Sequence, residues 1–236
     1  MRVATFNIKN GLDLEREKTD NRGLVDAVQE LDADVLAMQE VDRFRVRSRF
    51  RRQSRMVARR AGYEQIFGRT RRRDIVGAYG NALLVRGEMT DVSIFPLPVA
   101  PGHESRGLIL ATVKVGALSV SVGATHLQNR RDEWAVHEAP DQLRAAFAAL
   151  RTRPGPRLLM GDFNLRDRVA GPIVEENGFT AVEHEATWPA PAPEISIDWI
   201  CLDGLEATDV EVVHLPVSDH RAVVATVRPT IKPARD

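Results

Sequence analysis

The chain has 236 residues, 43% hydrophobic and 28% charged, with 33 basic and 33 acidic side chains and a formal charge of zero. That length suits one large α/β domain or two small ones. No apolar run approaches the roughly 20 residues of a membrane span, and the single cysteine, Cys201, excludes an internal disulfide or a cysteine-based metal site. Met1-Arg2 leads at once into strand-like Val3 to Phe6, without a charged-then-apolar leader, which points to a cytoplasmic protein.

Residues 2–8 alternate as a strand that ends at Asn7, and Asn10-Gly11 signals a turn. Leu24, Val25, Val28 and Leu31 recur at helical spacing, so roughly 20–32 is an amphipathic helix. Val35 to Gln39 is a buried strand that delivers Glu40, and the order strand, helix, strand implies a crossover connection. An arginine-rich stretch follows, in which Ser48 to Ala61 is expected to be helical and closed by Gly62. Strands are expected at Tyr63 to Phe67, Asn81 to Val85, Val92 to Phe95, Gly107 to Val115 and Leu118 to Ala124, with a hairpin turn at Gly116-Ala117.

Asp132 to Leu150 is helical in pattern, with the main helix starting at Pro140, where proline is tolerated in a first turn. Pro154-Gly155-Pro156 is a firm break before the strand Leu158 to Asp162. A short helix at 171–178, a proline-rich loop at 187–193 and strands at Ile195 to Leu202, Val210 to His214 and Ala222 to Val227 complete the chain. Residues 229–236 read as a loose tail. No linker divides the sequence, so residues 1–236 are read as one domain. Each half repeats a strand, helix, strand plan, which fits two mixed sheets packed face to face with helices outside.

Leu158-Leu159-Met160-Gly161-Asp162-Phe163-Asn164 organises the chain: an apolar strand that ends on glycine and presents an acid and an amide. In extended geometry Asp162 and Asn164 share a side while Phe163 enters the core. Asn7, Glu40, His126, Asp198, Asp219 and His220 likewise lie at or just beyond strand-like runs, where open α/β sheets place their sites. Oxygen donors dominate. Glu40, Asp219 and an amide suit Mg²⁺ or Mn²⁺ better than Zn²⁺, and two histidines remain for proton transfer or charge stabilisation.

Thr5-Phe6-Asn7, Gln39-Glu40-Val41, Thr125-His126-Leu127, Gly161-Asp162-Phe163-Asn164, Ile197-Asp198-Trp199 and Ser218-Asp219-His220 resemble, in order and spacing, the motifs of the endonuclease/exonuclease/phosphatase superfamily. The resemblance covers nearly the whole chain. It implies the DNase I-like fold, a four-layer sandwich of two mixed sheets flanked by helices. It also implies a metal-dependent phosphoester hydrolase, with a phosphodiester, nucleic acid among the candidates, as substrate. By the same resemblance Glu40 is the metal-binding carboxylate, with Asn7 and Asp219 near the same ion. Asp162 is the base for the attacking water, and Asn164 holds the phosphate or the nucleophile. His220, paired with Asp198, donates to phosphate oxygens, and His126 is a second donor. Glu104-Ser105-Arg106 resembles the family's Glu-x-Arg stretch and puts Arg106 near the phosphate. Ser196 stands where many members carry arginine, and the histidine motif at His126 resembles the DNase, sphingomyelinase and small-phosphodiesterase branches rather than abasic-site enzymes. A phosphatase, a phospholipid phosphodiesterase and a silent binding module are the alternative readings.

Simpler readings of the same residues fail jointly. Asp162-x-Asn164 cannot open an EF-hand, because Asp167 replaces the required glycine and Ile173 the final glutamate. Ser218-Asp219-His220 cannot form a hydrolase triad from adjacent positions. The arginine run from Arg43 to Arg73, with Glu64 its only acid before Asp74, is either a solvated helix face or a contact for an anionic partner. Glu133-Trp134 and Thr187-Trp188-Pro189 are candidates for loops near the site.

Overall fold

The computed structural model describes residues 1–71, 77–129 and 137–230. The first half contributes β1 (Arg2–Asn7), α1 (Asn21–Leu31), β4 (Val35–Arg43), α2 (Gln53–Ala61), β5 (Glu64–Arg71) and β6 (Ala78–Val85). A two-residue hairpin, β2 (Leu12–Asp13) with β3 (Lys18–Thr19), is inserted after β1. Next come β7 (Glu88–Pro96), β8 (Gly107–Val115), β9 (Leu118–His126), α3 (Glu138–Arg151), β10 (Arg157–Asp162), α4 (Asp167–Glu176) and β11 (Thr180–Ala181). β12 (Asp198–Asp203), β13 (Leu205–Val213) and β14 (Ala222–Pro229) close the chain.

These strands form two six-stranded mixed sheets, in the orders β13-β14-β1-β4-β6-β5 and β11-β12-β10-β9-β8-β7. Each sheet holds one parallel pair at its centre, β1 with β4 and β9 with β10, and all other pairs are antiparallel. Two parallel strands need a long crossover, and α1 and α3 supply it. The duplicated plan of the sequence is therefore a duplicated sheet.

Alternation along the strands separates the apolar layers. Val3, Val35, Ala37, Val122, Leu158 and Met160 pack between the sheets. Ala4, Phe6, Leu36 and Met38 face the opposite way, onto α1 and α2. Leu159 and Cys201 turn to α3 and α4 beneath the second sheet. The four layers are helices, sheet, sheet and helices, as the resemblance implied. Among the described residues no helix is long and apolar enough to cross a bilayer.

Several boundaries differ from the sequence expectation. α2 begins at Gln53 rather than Ser48, because Arg49 and Phe50 adopt left-handed φ values of 53° and 57° that no helix accepts. α4 begins at Asp167, four residues early, and Pro172 lies inside it. β12 begins at Asp198, since Ile195 makes only an isolated bridge to Trp188. The last strand runs to Pro229 and Thr230 N–H donates to Gly204 O, so the stretch expected to be loose is held at its start. Residues 130–136, which include Glu133-Trp134 and the start of the expected helix at 132, lie outside the described residues, as do 72–76 and 231–236.

Candidate active site

The two central parallel pairs end side by side, and the polar residues collect there. In the second sheet the register sets His126 opposite Asp162 and Asp162 opposite Asp198, a row of three across β9, β10 and β12. Gly161 makes the row possible. A Cβ at that position would lie 2.0 Å from Thr125 O, inside the backbone of the neighbouring strand, so only glycine lets β10 approach β9 this closely. In the first sheet Asn7 ends β1 opposite Gln39, and Glu40 follows with a left-handed φ of 59°.

Asn7 joins the two sheets. Its Nδ2 donates to Asp162 Oδ2 at 2.9 Å and to Glu40 Oε1 at 3.3 Å, and lies 3.5 Å from His220 Nε2. Its Oδ1 accepts from Lys9 N–H at 3.1 Å. Asp162 is 1% exposed and also accepts at Oδ1 from Asn164 N–H at 2.9 Å. Asp198, fully buried, accepts at Oδ2 from Thr187 Oγ1 at 2.6 Å and pairs there with His220 Nδ1 at 2.9 Å. His220 Nε2 is thereby turned toward Asp162 Oδ2, 3.8 Å away. His126 Nε2 lies 3.4 Å from the same oxygen, while its Nδ1 has no hydrogen-bond partner among the described residues.

Burial sets the protonation states. The Asp162 carboxyl is pushed up to about 7 by burial and by the neighbouring Asp198 charge, opposed by His220 and the Asn7 hydrogen bond. Burial works against a charged His220, yet the charge of Asp198 and its hydrogen bond outweigh it and raise the imidazole to about 10. Burial, reinforced by Arg106, holds His126 well below the usual histidine range, so it is neutral. The row thus carries a neutral imidazole and a carboxyl poised near neutrality, and the imidazolium of His220 stands against it.

Lys9, Glu40, His126, Asn129, Asp162, Asn164, Arg166, Trp188, Ile195, Ile197, Asp219 and His220 line a cleft of about 240 Å³ above these groups. Glu40, Asp162, Asn164, His126, Asp219 and His220 thus meet in one cleft, with Asn7 and Asp198 directly beneath. The route for Asn164 differs from the extended geometry read in the sequence. Its φ is 53°, and its Nδ2 donates to Leu127 O at 3.1 Å. Arg106 is not among the cleft-lining side chains. It is 7% exposed, and its Nε donates to Gln128 Oε1 at 3.0 Å, with its charge felt by His126.

Asp162, Asp198 and His220 each offer a ligand atom, all within 4.8 Å of one another, and could hold a metal ion. His220 Nδ1 and Asp198 Oδ2 are already hydrogen-bonded to each other. Glu40 and Asp219 form no such trio with a further acid, histidine or cysteine among the described residues, because Asn7 Nδ2 spans from Glu40 to Asp162 and Lys9 Nζ holds Asp219 Oδ2 at 3.1 Å. Asp219 Oδ1 is buried with no hydrogen-bond partner among the described residues. That orphaned oxygen and the Glu40 carboxylate are hard oxygen donors beside Asn7, whose Nδ2 faces Glu40, and a small divalent cation needs only one or two protein carboxylates. The donor chemistry fits.

Sequence reasoning missed Tyr79, Lys9 and Arg166, and placed Thr187 in a loop near the site without its role. Thr187 fixes Asp198 from the proline-rich loop. Tyr79 is hydrogen-bonded to Glu40 and is pushed far above its usual range by burial and by that carboxylate. Neither lies beside its partner in sequence, so no local signal could have found either pairing. Lys9 and Arg166, two residues beyond Asn7 and Asn164, could have been found by extending each motif.

Comparison with known proteins follows the same outline. The model of the endonuclease/exonuclease/phosphatase family matches residues 4–220. An endonuclease/exonuclease/phosphatase from Beutenbergia cavernae is similar at 22% identity and a TM-score of 0.85, over 100% of this chain and 73% of that one. A mannosyl-6-phosphatase from Bacteroides thetaiotaomicron is similar at 18% identity and 0.75, over 97% and 99%. The human Nocturnin catalytic domain, with a bound sulfate, is similar at 18% and 0.73, over 98% and 94%. A search of curated protein sequences gives no match.

Proposed function

Because the chain belongs to the endonuclease/exonuclease/phosphatase family and is a phosphoester hydrolase, we propose that it cleaves phosphodiesters, with Mg²⁺ or Mn²⁺ held by Glu40, Asn7 and Asp219. The observation that carries this reading is the row His126, Asp162 and Asp198 facing His220 across the cleft. A bound divalent cation would supply charge neutralisation for the phosphoryl oxygens.

The protein's own groups do the rest. Asp162, poised near 7, accepts the proton of the attacking water, and its two oxygens are oriented by Asn7 and Asn164 N–H. In-line attack concentrates charge on the non-bridging oxygens. His220 meets that charge with Nε2–H, since Asp198 occupies its Nδ1 and keeps it protonated. Thr187 holds Asp198 in place. Neutral His126 borders Asp162 and supplies a second N–H without another full charge. Asn164 offers its amide oxygen, because its Nδ2 is engaged by Leu127 O. Arg106, held by Gln128, supplies positive charge beside His126 for the bound phosphate.

The diester reading is favoured by the cations at the cleft. A monoester dianion needs several, and here Lys9 is paired with Asp219 while Arg166 stands on the rim. A phosphatase acting on a sugar or other small-molecule phosphate is the second reading. Trp188, 38% exposed at the cleft, is a stacking surface for such a group, and the mannosyl-6-phosphatase shares the fold.

Hydrolysis of bis(p-nitrophenyl) phosphate beside p-nitrophenyl phosphate, with Mg²⁺, with Mn²⁺ and with EDTA, tests the assignment. Metal-dependent release from the diester is expected. Release mainly from the monoester moves the assignment to a phosphatase, and equal rates in EDTA remove the metal.

A further inference from the structure

The arginine-rich segment divides into two sets. Arg47 is spent on buried Asp42, with Nε and an Nη donating at 2.8 and 2.9 Å, and Arg45 lies 3.9 Å from the same carboxylate. Arg52 lies over the Phe44 ring at 4.5 Å, and Arg43 over Phe67 at 5.8 Å. Arg49, Arg51, Arg55, Arg59 and Arg60 differ. They are exposed, and among the described residues no acidic side chain lies within ion-pair distance of them.

These unpaired arginines line grooves that connect with one another and with the active cleft. Lys9 borders both the cleft and a groove that also takes in Lys18 and Arg49. Lys18 and Arg49 border the next groove, together with Arg51 and Arg60. Arg51 and Arg60 border a third, walled further by Arg55 and Arg59. Three acids border these grooves: Asp20 caps α1 by accepting from Arg22 and Gly23 N–H, Asp13 accepts from Glu15 and Arg16 N–H, and Glu17 stands exposed beside Lys18, outnumbered by the cations. The shared residues make one basic track that leaves the cleft at Lys9 and ends along α2.

We propose that this track binds the phosphate backbone of a polynucleotide whose scissile phosphodiester lies in the cleft. The proposal rests on the phosphodiesterase reading and adds the substrate class. A linear run of cations leading out of an active cleft suits a linear polyanion. α2 alone is about 13 Å long, the axial span of roughly four phosphates of one duplex strand. Val46 and Phe50, 76% and 56% exposed beside the track, are the features that an anionic membrane surface would use instead.

Equilibrium binding of a labelled 20-mer, as single strand and as duplex, in EDTA from 50 to 300 mM salt separates these outcomes. Arg51→Ala/Arg55→Ala/Arg59→Ala is expected to weaken binding at least 10-fold and to lower the log–log salt slope by about 2 to 3. Lysine at the same three positions should restore most of the affinity, and hydrolysis of bis(p-nitrophenyl) phosphate should be unchanged in both variants. Unaltered affinity and slope in the alanine variant would overturn the track, as would retention on phosphatidylserine vesicles with no oligonucleotide binding. Loss of diester hydrolysis by the wild type with oligonucleotide binding intact would instead overturn the reading of the cleft, leaving the track standing.

Discussion

The cleft and the arginine segment are the two regions richest in charge, and they are built in opposite ways. In the cleft Asn7, Asp162, Asp198 and His220 are nearly or fully buried and bonded to one another across two sheets. Along residues 49–60 the guanidiniums stand in solvent without acidic partners. A buried charge must be paired or it shifts its pKa, so in the cleft the pairing is what tunes the chemistry. An exposed charge costs nothing to leave unpaired, and stays available to a partner. Arg47 and Arg45 show the rule inside the segment itself, since both stand on Asp42, which is fully buried.

Substitutions that break the cleft network should act most strongly. Asp162→Ala or His220→Ala should lower turnover of a diester by about 10³-fold or more, roughly 4 kcal/mol, with the circular dichroism spectrum unchanged. Wild-type rates in either would remove these residues from the reaction. Arg47→Ala leaves Asp42 buried with only the more distant Arg45, and should cost about 3 kcal/mol of stability in urea melts, discounted for the partial exposure of the guanidinium.

A smaller effect is expected from pH on the metal-free protein. His220 titrates near 10 when folded against 6.5 in the unfolded chain, so its stabilisation is whole below pH 6.5 and is lost as pH rises through about 10. Asp162, near 7 against 3.8, contributes fully below pH 3.8 and loses that contribution as pH rises through about 7. Both slopes have one sign. Tm in EDTA should fall between pH 6 and 9, and His220→Gln should flatten the upper part of that fall. Thr187→Val removes one buried hydrogen bond to Asp198 and should cost about 1–2 kcal/mol in stability. Arg55→Ala, outside any ion pair, should change stability by less than about 0.5 kcal/mol in the same melts.

Much of this architecture can be read from the chain. Apolar runs that stop on Asn7, Glu40, His126 and Asp162 mark the ends of both parallel pairs, because a polar side chain at the end of a buried strand is costly without a partner. The short β2–β3 hairpin was invisible, since two residues carry no periodicity. The false start of α2 is of a related kind: Ser48 to Arg52 holds no glycine or proline to stop a helix, and only the left-handed Arg49 and Phe50 reveal the loop. Partners contributed by remote loops, Thr187 for Asp198 and Gln128 for Arg106, are set by tertiary packing, which no spacing within one segment encodes.

The bond between Asn7 and Asp162, with His220 alongside, has a consequence for the order of synthesis. The groups of the cleft come from residue 7 to residue 220, and β1 lies between β4 and β14, the last strand to be made. A ribosome-bound chain that stops short of residue 220 lacks its imidazolium, and one that stops short of β14 leaves β1 on an open edge. The site therefore cannot be assembled from a fragment that lacks either end of the span from residue 7 to residue 220.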